Sequence, residues 1–296
     1  MSDLAEGPEP FRRVVPLMRV ALGVGAFLVF LAGVQLFVLT NRTEHWFAWT
    51  IAVPLTAAFL GAFYWTAIPL AALSATRRHW ADARVAIPGV FVFLVLTFVT
   101  SMLHLGKFHL HDPDHVARGA AWLWLVIYAG DPVLLAVAWV QQVRTNGPDA
   151  RRMAPVPTWY LAGLGVQAAI VLAVGVAMFA APTSAPRLWP WTLTPLTARA
   201  ASSWLIGLGL VLVGAVVERD WRRIQPAAIA YVVLGALQLI ALARYPHTLD
   251  WSRPVAWVFV AMVAAILATG AIGTAAGQTV RGQDALSAGA SSARLT

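Results

Sequence analysis

The sequence predicts an all-α integral membrane protein: eight transmembrane helices forming a parallel tandem repeat of two four-helix units, with both termini cytoplasmic. Three observations carry this. Of the 296 residues 59% are hydrophobic and only 11% charged, with a mean hydropathy of +0.71, whereas soluble domains carry about 25% charged residues. Eight segments are apolar over the roughly 20 residues that a helix needs to cross a hydrocarbon core. The chain also says the same thing twice, about 140 residues apart, and a repeat fixes the architecture before any single element is assigned.

The spans follow in order. The first, Leu17–Leu39, comes after Arg12 and Arg13 and contains Arg19. That resembles a signal peptide, but the apolar run is too long for one, so an uncleaved anchor is expected. The second, Phe47–Leu73, contains a tryptophan motif at its outer entrance, and the third, Val85–Leu105, carries Thr97, Thr100 and Ser101. The fourth, Gly119–Val140, holds Asp131, and the fifth, Trp159–Ala181, holds Gln167. Ser202–Val217 and Ala227–Ala243 are short spans by strict counting, and Val255–Gly277 closes the set. Gln35, Gln167, Gln238 and the hydroxyls of the third span are expected to form interhelical hydrogen bonds. The resulting divisions are a disordered amino terminus (1–16), a first membrane unit (17–142), a cytoplasmic linker (143–158), a second membrane unit (159–277) and a disordered tail (278–296).

The copies are recognisable residue by residue. Trp49-Thr50-Ile51-Ala52-Val53-Pro54-Leu55-Thr56-Ala57 returns as Trp191-Thr192-Leu193-Thr194-Pro195-Leu196-Thr197-Ala198. Lys107-Phe108-His109 with Asp112 returns as Arg244-Tyr245-Pro246-His247 with Asp250. Gly23, Gly33, Phe37 and Trp80 pair with Gly165, Gly175, Phe179 and Trp221. Four spans per copy is an even number, so the second copy enters the membrane from the same side as the first, unlike an inverted repeat.

Charge sets the orientation and excludes several classes. The net charge is +8, yet the basic residues are spread over short loops, which argues against a nucleic-acid partner. With the amino terminus inside, fourteen of the 21 basic residues fall on the cytoplasmic side, as the positive-inside rule expects. The chain has no cysteine, which removes disulfides, thiol catalysis, iron–sulfur clusters and thiolate metal sites. Richness in Ala and Arg with one lysine, Lys107, points to a high-GC bacterial genome and a plasma membrane. The Asn41-Arg42-Thr43 sequon then carries no meaning. The bilayer is the expected partner, and a homo-oligomer or a partner in a membrane complex is left open. No nucleotide loop, nucleophile elbow or HExxH helix occurs, so an enzyme is not the first expectation. Nor is haem, because the histidines lie in loops or near span ends.

Four constellations carry chemistry. The tryptophan motifs (Trp49, Pro54, Thr56; Trp191, Pro195, Thr197) read as an aromatic belt, with Trp46 and Trp189, over proline-shaped helix entrances. The alternative is that they face each other and line an outer cavity. The loop from His104 to His115 holds four imidazoles and two carboxylates, of which His109, His111 and Asp112 match zinc or copper chemistry. His-rich tracts also take up metal adventitiously, so no resident cofactor is predicted. The repeat selects Lys107, His109 and Asp112 with Arg244, His247 and Asp250, as a local cap in which Asp accepts from His, or as an outer-face site. Finally, Asp131 is the one acid deep within a span, and such residues default to functional candidates. Asp before Pro132 is also the signature of a helix start. The fourth span is therefore expected to break there, opposite a weak point at Thr269–Gly270 in the eighth.

The strings FAWTIAVPLTAAFLGAFYW, RLWPWTLTPLTARA and HLGKFHLHD resemble segments of multispanning membrane proteins of actinobacteria-like, high-GC bacteria. That group has no known activity, so the resemblance implies the multispan fold and no functional residue. Among functions, a small-molecule or ion transporter with a mid-membrane site at Asp131 comes first. The alternatives are an outer-face ligand- or metal-binding module, enzymatic or not, and a non-catalytic subunit or scaffold.

Overall fold

The structure is a computed structural model that describes residues 11–293. Among the described residues are eight helices long and apolar enough to cross a membrane: α1 (Pro16–Val38), α2 (Pro54–Thr76), α3 (Trp80–Leu103), α4 (His115–Arg144), α5 (Thr158–Ala180), α6 (Pro195–Glu218), α7 (Trp221–Arg244) and α8 (Pro254–Val280). Two isolated β-bridges are the only extended pairing among the described residues.

Local chemistry explains where these helices begin. Proline stands in the first turn of α1, α2 and α6, where its missing N–H costs nothing. The Asp114 carboxylate accepts from Val116 N at the start of α4, and that of Asp220 from Arg222 N at the start of α7. At α6, Thr194 and Thr197 form a reciprocal capping box. Hydropathy alone had placed the start of the sixth span at Ser202 and of the seventh at Ala227. Both begin earlier because their polar first turns are held by caps. The second starts later than Phe47, since residues 47–53 form an irregular link before Pro54.

Two expectations are corrected. Helix α4 runs unbroken for 30 residues with Pro132 inside it, so the break at Asp131–Pro132 is absent. The Thr269–Gly270 point likewise lies within a continuous α8. One lost N–H at a proline is cheaper in lipid than a full helix end, whose orphan groups cost several kcal/mol each, roughly. The helix of α8 also continues to Ala293, where the sequence reads as disordered. Beyond Pro254 that segment has no proline and many alanines. The amino-terminal disorder expected over 1–16 falls largely on residues 1–10, outside the described residues, as do residues 294–296.

Helices α2 and α6 form the centre of the bundle, with 67% of their apolar windows buried, against 22% for α1, α4 and α8 at its periphery. Helix α1 packs on α2 and α5 on α6, while the halves interlock through α2 on α7 and α3 on α6. At the α3–α6 crossing the backbones nearly touch: a Cβ on Gly89 would stand 2.4 Å from the Gly207 carbonyl oxygen. Helix α8 lies closely on α7, while α4 packs more loosely on α3 and α1. Exposed apolar side chains on the outer helices, such as Phe27, Trp122 and Trp257, suit contact with lipid.

One end of the bundle is tied by backbone pairing that occurs twice. Val14 N donates to Arg78 O (3.1 Å) and Trp80 N to Arg12 O (2.9 Å); Val156 N donates to Arg219 O (3.1 Å) and Trp221 N to Ala154 O (2.8 Å). Gln142, fully buried at the end of α4, clamps the chain before α1 by accepting from Val15 N and donating to Arg13 O, both at 2.9 Å. The predicted linker is anchored too, because Arg84 pairs with both Asp149 and Glu218, and Arg223 donates to Glu218 at 2.5 Å.

Candidate functional site

The inward face of α4 is a stripe at helical spacing: Ala117, Ala121, Trp124, Tyr128, Leu135, Ala138 and Gln142 are all buried. Asp131 occupies the same stripe, near the middle of the helix, and is half-buried. The last turn of α1, Val34–Val38, is a π-helical turn that contains Gln35, which lines the same side of the bundle nearer the end of α1. Such turns recur at functional sites because they displace side chains from the helical register. Between α1, α2, α3, α4 and α6 the loose seating of α4 leaves a cavity of about 200 Å³, whose wall includes Gln35, Tyr64, Trp124, Tyr128, Asp131 and Trp204.

Aromatic rings frame this cavity. Phe93 and Trp204 stack with centroids 3.7 Å apart, Tyr64 meets Trp204 edge-on at 4.8 Å, and Trp124 lies 4.4 Å from Tyr128. The polar atoms of Tyr64, Trp124 and Tyr128 are already engaged. The Tyr64 and Tyr128 hydroxyls share a hydrogen bond of 2.6 Å, and Trp124 Nε1 donates to Ser101 Oγ at 3.0 Å. Asp131 differs: among the described residues its carboxylate has no hydrogen bond or ion pair, and it is the only charged side chain on the wall. The site thus offers one carboxylate in an apolar, aromatic setting, where charge interactions are stronger than in water.

A second cavity, of about 110 Å³, lies between α2, α5, α6, α7 and α8. In the alignment that the predicted repeat gives, Tyr64, Phe93, Trp124 and Tyr128 correspond to Leu205, Leu234, Met262 and Ile266, all of which line this second cavity. Asp131 corresponds to Thr269. That threonine is tied to α5: its hydroxyl accepts from Gln167 Nε2 at 2.8 Å and its carbonyl from the Tyr160 hydroxyl at 2.9 Å. Gly270 is spent on packing, since a Cβ there would stand 2.6 Å from Val232 N. Thr269 and Gly270 are therefore engaged away from Asp131, and Pro132 lies off the cavity wall.

The tryptophan motifs do not form an interfacial belt. Trp49, Trp189 and Trp191 are buried, packed among Phe47, Phe59, Phe108, Trp124 and Phe259, and only Trp46 is exposed. Contacts with other rings hold these indoles, and one of them also finds a partner for its N–H. Trp191 has one, donating to Thr56 Oγ1 of the other motif at 2.9 Å. The motifs thus meet across the halves, in packed contact. Pro54 and Pro195 open α2 and α6, and Thr197 serves the capping box.

The loop residues act on the backbone. His109 Nδ1 lies 3.0 Å from the Phe47 carbonyl, which can only accept, so Nε2 accepts from the Thr50 hydroxyl at 3.0 Å. Asp112 and Asp250 play matching parts: each accepts a backbone N–H two residues on, from Asp114 (2.9 Å) and Ser252 (3.1 Å). The expected cap, in which Asp accepts from His, is not formed among the described residues: each Asp takes a backbone N–H instead, and His109 staples the motif loop. Ser252, through its hydroxyl and its N–H, holds the Asp250 carboxyl below the usual range. Lys107, His111 and His247 are exposed. No group of three or more His, Asp or Glu gathers for a metal among the described residues. Arg244 NH1 donates to the Phe37 carbonyl at 2.5 Å and lies over the Phe37 ring at 5.5 Å. Arg199, which sequence reasoning passed over, donates to His104 Nε2 at 2.8 Å. Burial, then the charges of Arg199 and Lys107, push the His104 imidazole below its ordinary value.

Asp131 was legible in the sequence, whereas Tyr64, Phe93, Trp124, Tyr128 and Trp204 were not, and Gln35 was expected only as an interhelical hydrogen bond. One signal was available: Trp124, Tyr128 and Asp131 stand at i, i+4 and i+7 on one helix face. Compared with family models, curated proteins and solved structures, the chain gives no match.

Proposed function

We propose that this chain is a multi-pass transporter of a bacterial plasma membrane that holds a small solute at Asp131 in the cavity of its first half. One observation carries the proposal: an acid near the middle of a membrane-length helix, without a partner among the described residues, lines a cavity of about 200 Å³. A carboxylate at that depth costs about 2.5–3.5 kcal/mol on insertion scales, and a bundle retains such a cost where it serves function.

The finer architecture belongs to the same proposal. The two halves are copies related by an axis along the membrane normal, with both ends cytoplasmic. Support comes from the twice-occurring pairing before Trp80 and Trp221, from α2 on α7 matching α6 on α3, and from a cavity in each half. In such folds transport proceeds largely by one half rocking against the other around a fixed site. Here the α3–α6 crossing at Gly89 and Gly207 lies beside that site and joins the halves.

The test is solute flux in proteoliposomes, read as transient current on a solid-supported membrane across a panel of small organic ions and zwitterions. Wild-type protein is expected to carry at least one, Asp131→Asn to abolish that current, and Asp112→Asn to leave it intact. Asp131→Asn protein that carries the same solute at the wild-type rate overturns the proposal.

A further inference from the structure

We infer that the Asp131 cavity selects organic cations with an apolar body, such as quaternary or tertiary ammonium compounds. This rests on the reading of that cavity as the solute site. Its wall carries one carboxylate and, among the described residues, no basic side chain, so the only charge it offers a guest is negative. A bare metal ion is poorly served. A calcium-like ion takes about six to eight oxygen ligands, and a magnesium-like ion demands a near-octahedral shell. The described residues gather no group of three or more acidic or histidine side chains.

The rest of the wall favours a guest whose charge is spread over carbon. Tyr64, Phe93, Trp124, Tyr128 and Trp204 supply aromatic surface, and a ring face attracts a cation within about 6 Å, most strongly when both are desolvated. The Tyr64 and Tyr128 hydroxyls bond to each other and Trp124 Nε1 to Ser101, so the aromatic wall offers a guest few free hydrogen-bonding groups. That penalises ammonium groups with many N–H bonds to satisfy and spares alkylated ones. Size agrees: the cavity of about 200 Å³ exceeds the roughly 150 Å³ that admits a benzene-sized guest. Gly25 on the α1 wall leaves the space open, since a Cβ there would meet nothing within 4 Å. The second cavity is an internal control. It stands between the corresponding helices, and among the described residues no charged side chain lines it.

The test is binding of benzyltrimethylammonium and of its uncharged carbon isostere, neopentylbenzene, to the full chain in nanodiscs. Tryptophan fluorescence reports binding, and empty nanodiscs correct for lipid partition. The cation is expected to bind about tenfold more tightly than the isostere. Asp131→Asn is expected to erase that preference, and Trp124→Leu to weaken the cation alone. Equal affinities, or a tighter isostere, mean a hydrocarbon site such as one for a lipid chain and overturn the inference. So does a cation preference that survives in Asp131→Asn. If that variant is not monodisperse, Trp124→Leu decides, and an unchanged cation affinity overturns it. Flux that depends on Asp131 without cation binding defeats the ligand class and leaves the transport proposal standing. Cation binding at Asp131 with no flux of any panel member does the reverse.

Discussion

Asp131→Asn should stabilise the fold while removing its function. The substitution keeps the shape of the side chain and deletes its charge. A mid-helix carboxylate costs about 2.5–3.5 kcal/mol on insertion scales, and among the described residues Asp131 has no partner to offset that cost. Water in the cavity lowers the cost, so the gain on substitution is about 1–2 kcal/mol. One kcal/mol moves the melting temperature of a domain this large by about 2–4 °C, giving a rise of ~2–8 °C. Thermal unfolding of the two proteins in the same detergent, followed by near-ultraviolet circular dichroism, measures it. A fall in melting temperature with flux retained would refute the reasoning, because it would make the carboxylate a structural group. A rise with flux lost is the trade expected of a residue kept for function against stability.

Three further outcomes follow from the packing. Glu218→Gln removes the counter-ion of Arg223, since both are almost fully buried, and leaves that guanidinium the Ala150 carbonyl; breaking such a pair costs about 3–5 kcal/mol, and an unchanged unfolding midpoint would contradict the structure. Gly207→Val forces α3 and α6 apart at a crossing with no room for a Cβ. Overpacking there should cost about 1–3 kcal/mol and slow flux, so wild-type melting and flux together would count against the close approach. His104 titrates below its ordinary value because burial, then Arg199 and Lys107, favour the neutral ring. Its contribution to stability is therefore complete above about pH 6.5 and is lost as the pH falls through the folded value. Between about pH 7.5 and 5.5 the wild type should lose more melting temperature than His104→Gln, and equal losses would dismiss the effect.

The eight helices were legible because apolar length is a local property, summed along the chain without knowledge of neighbours. Their starts were less so. Hydropathy discounts the polar first turn of α6, yet Thr194, Pro195 and Thr197 together spell a capping box with proline at the first position. Asp131–Pro132 carries the same kind of local signature and misled, since the real cap of α4 is Asp114 and the helix beyond it lies in a setting that punishes loose ends. The burial of Trp49 and Trp191 was hidden for another reason. Whether an indole faces lipid or another ring depends on what folds over it, and Phe59 and Phe259 arrive from distant helices. The cavity is equally non-local. Only the α4 stripe was readable, and Tyr64, Phe93 and Trp204 join it through pairings that no sequence spacing announces.

The crossed pairing of α2 with α7 and of α3 with α6 bears on how the protein is made. Translation delivers the first four helices well before the last, and at about 5–20 residues per second the interval between α3 and α7 is roughly 10 s. During that time the faces around Gly89 and Phe59 wait in lipid without their partners on α6 and α7. The nascent amino-terminal half is therefore the vulnerable species, open to membrane proteases until α6 and α7 leave the ribosome. A gene cut between α4 and α5 yields two pieces that each need the other, so they accumulate when expressed together and are degraded when expressed apart.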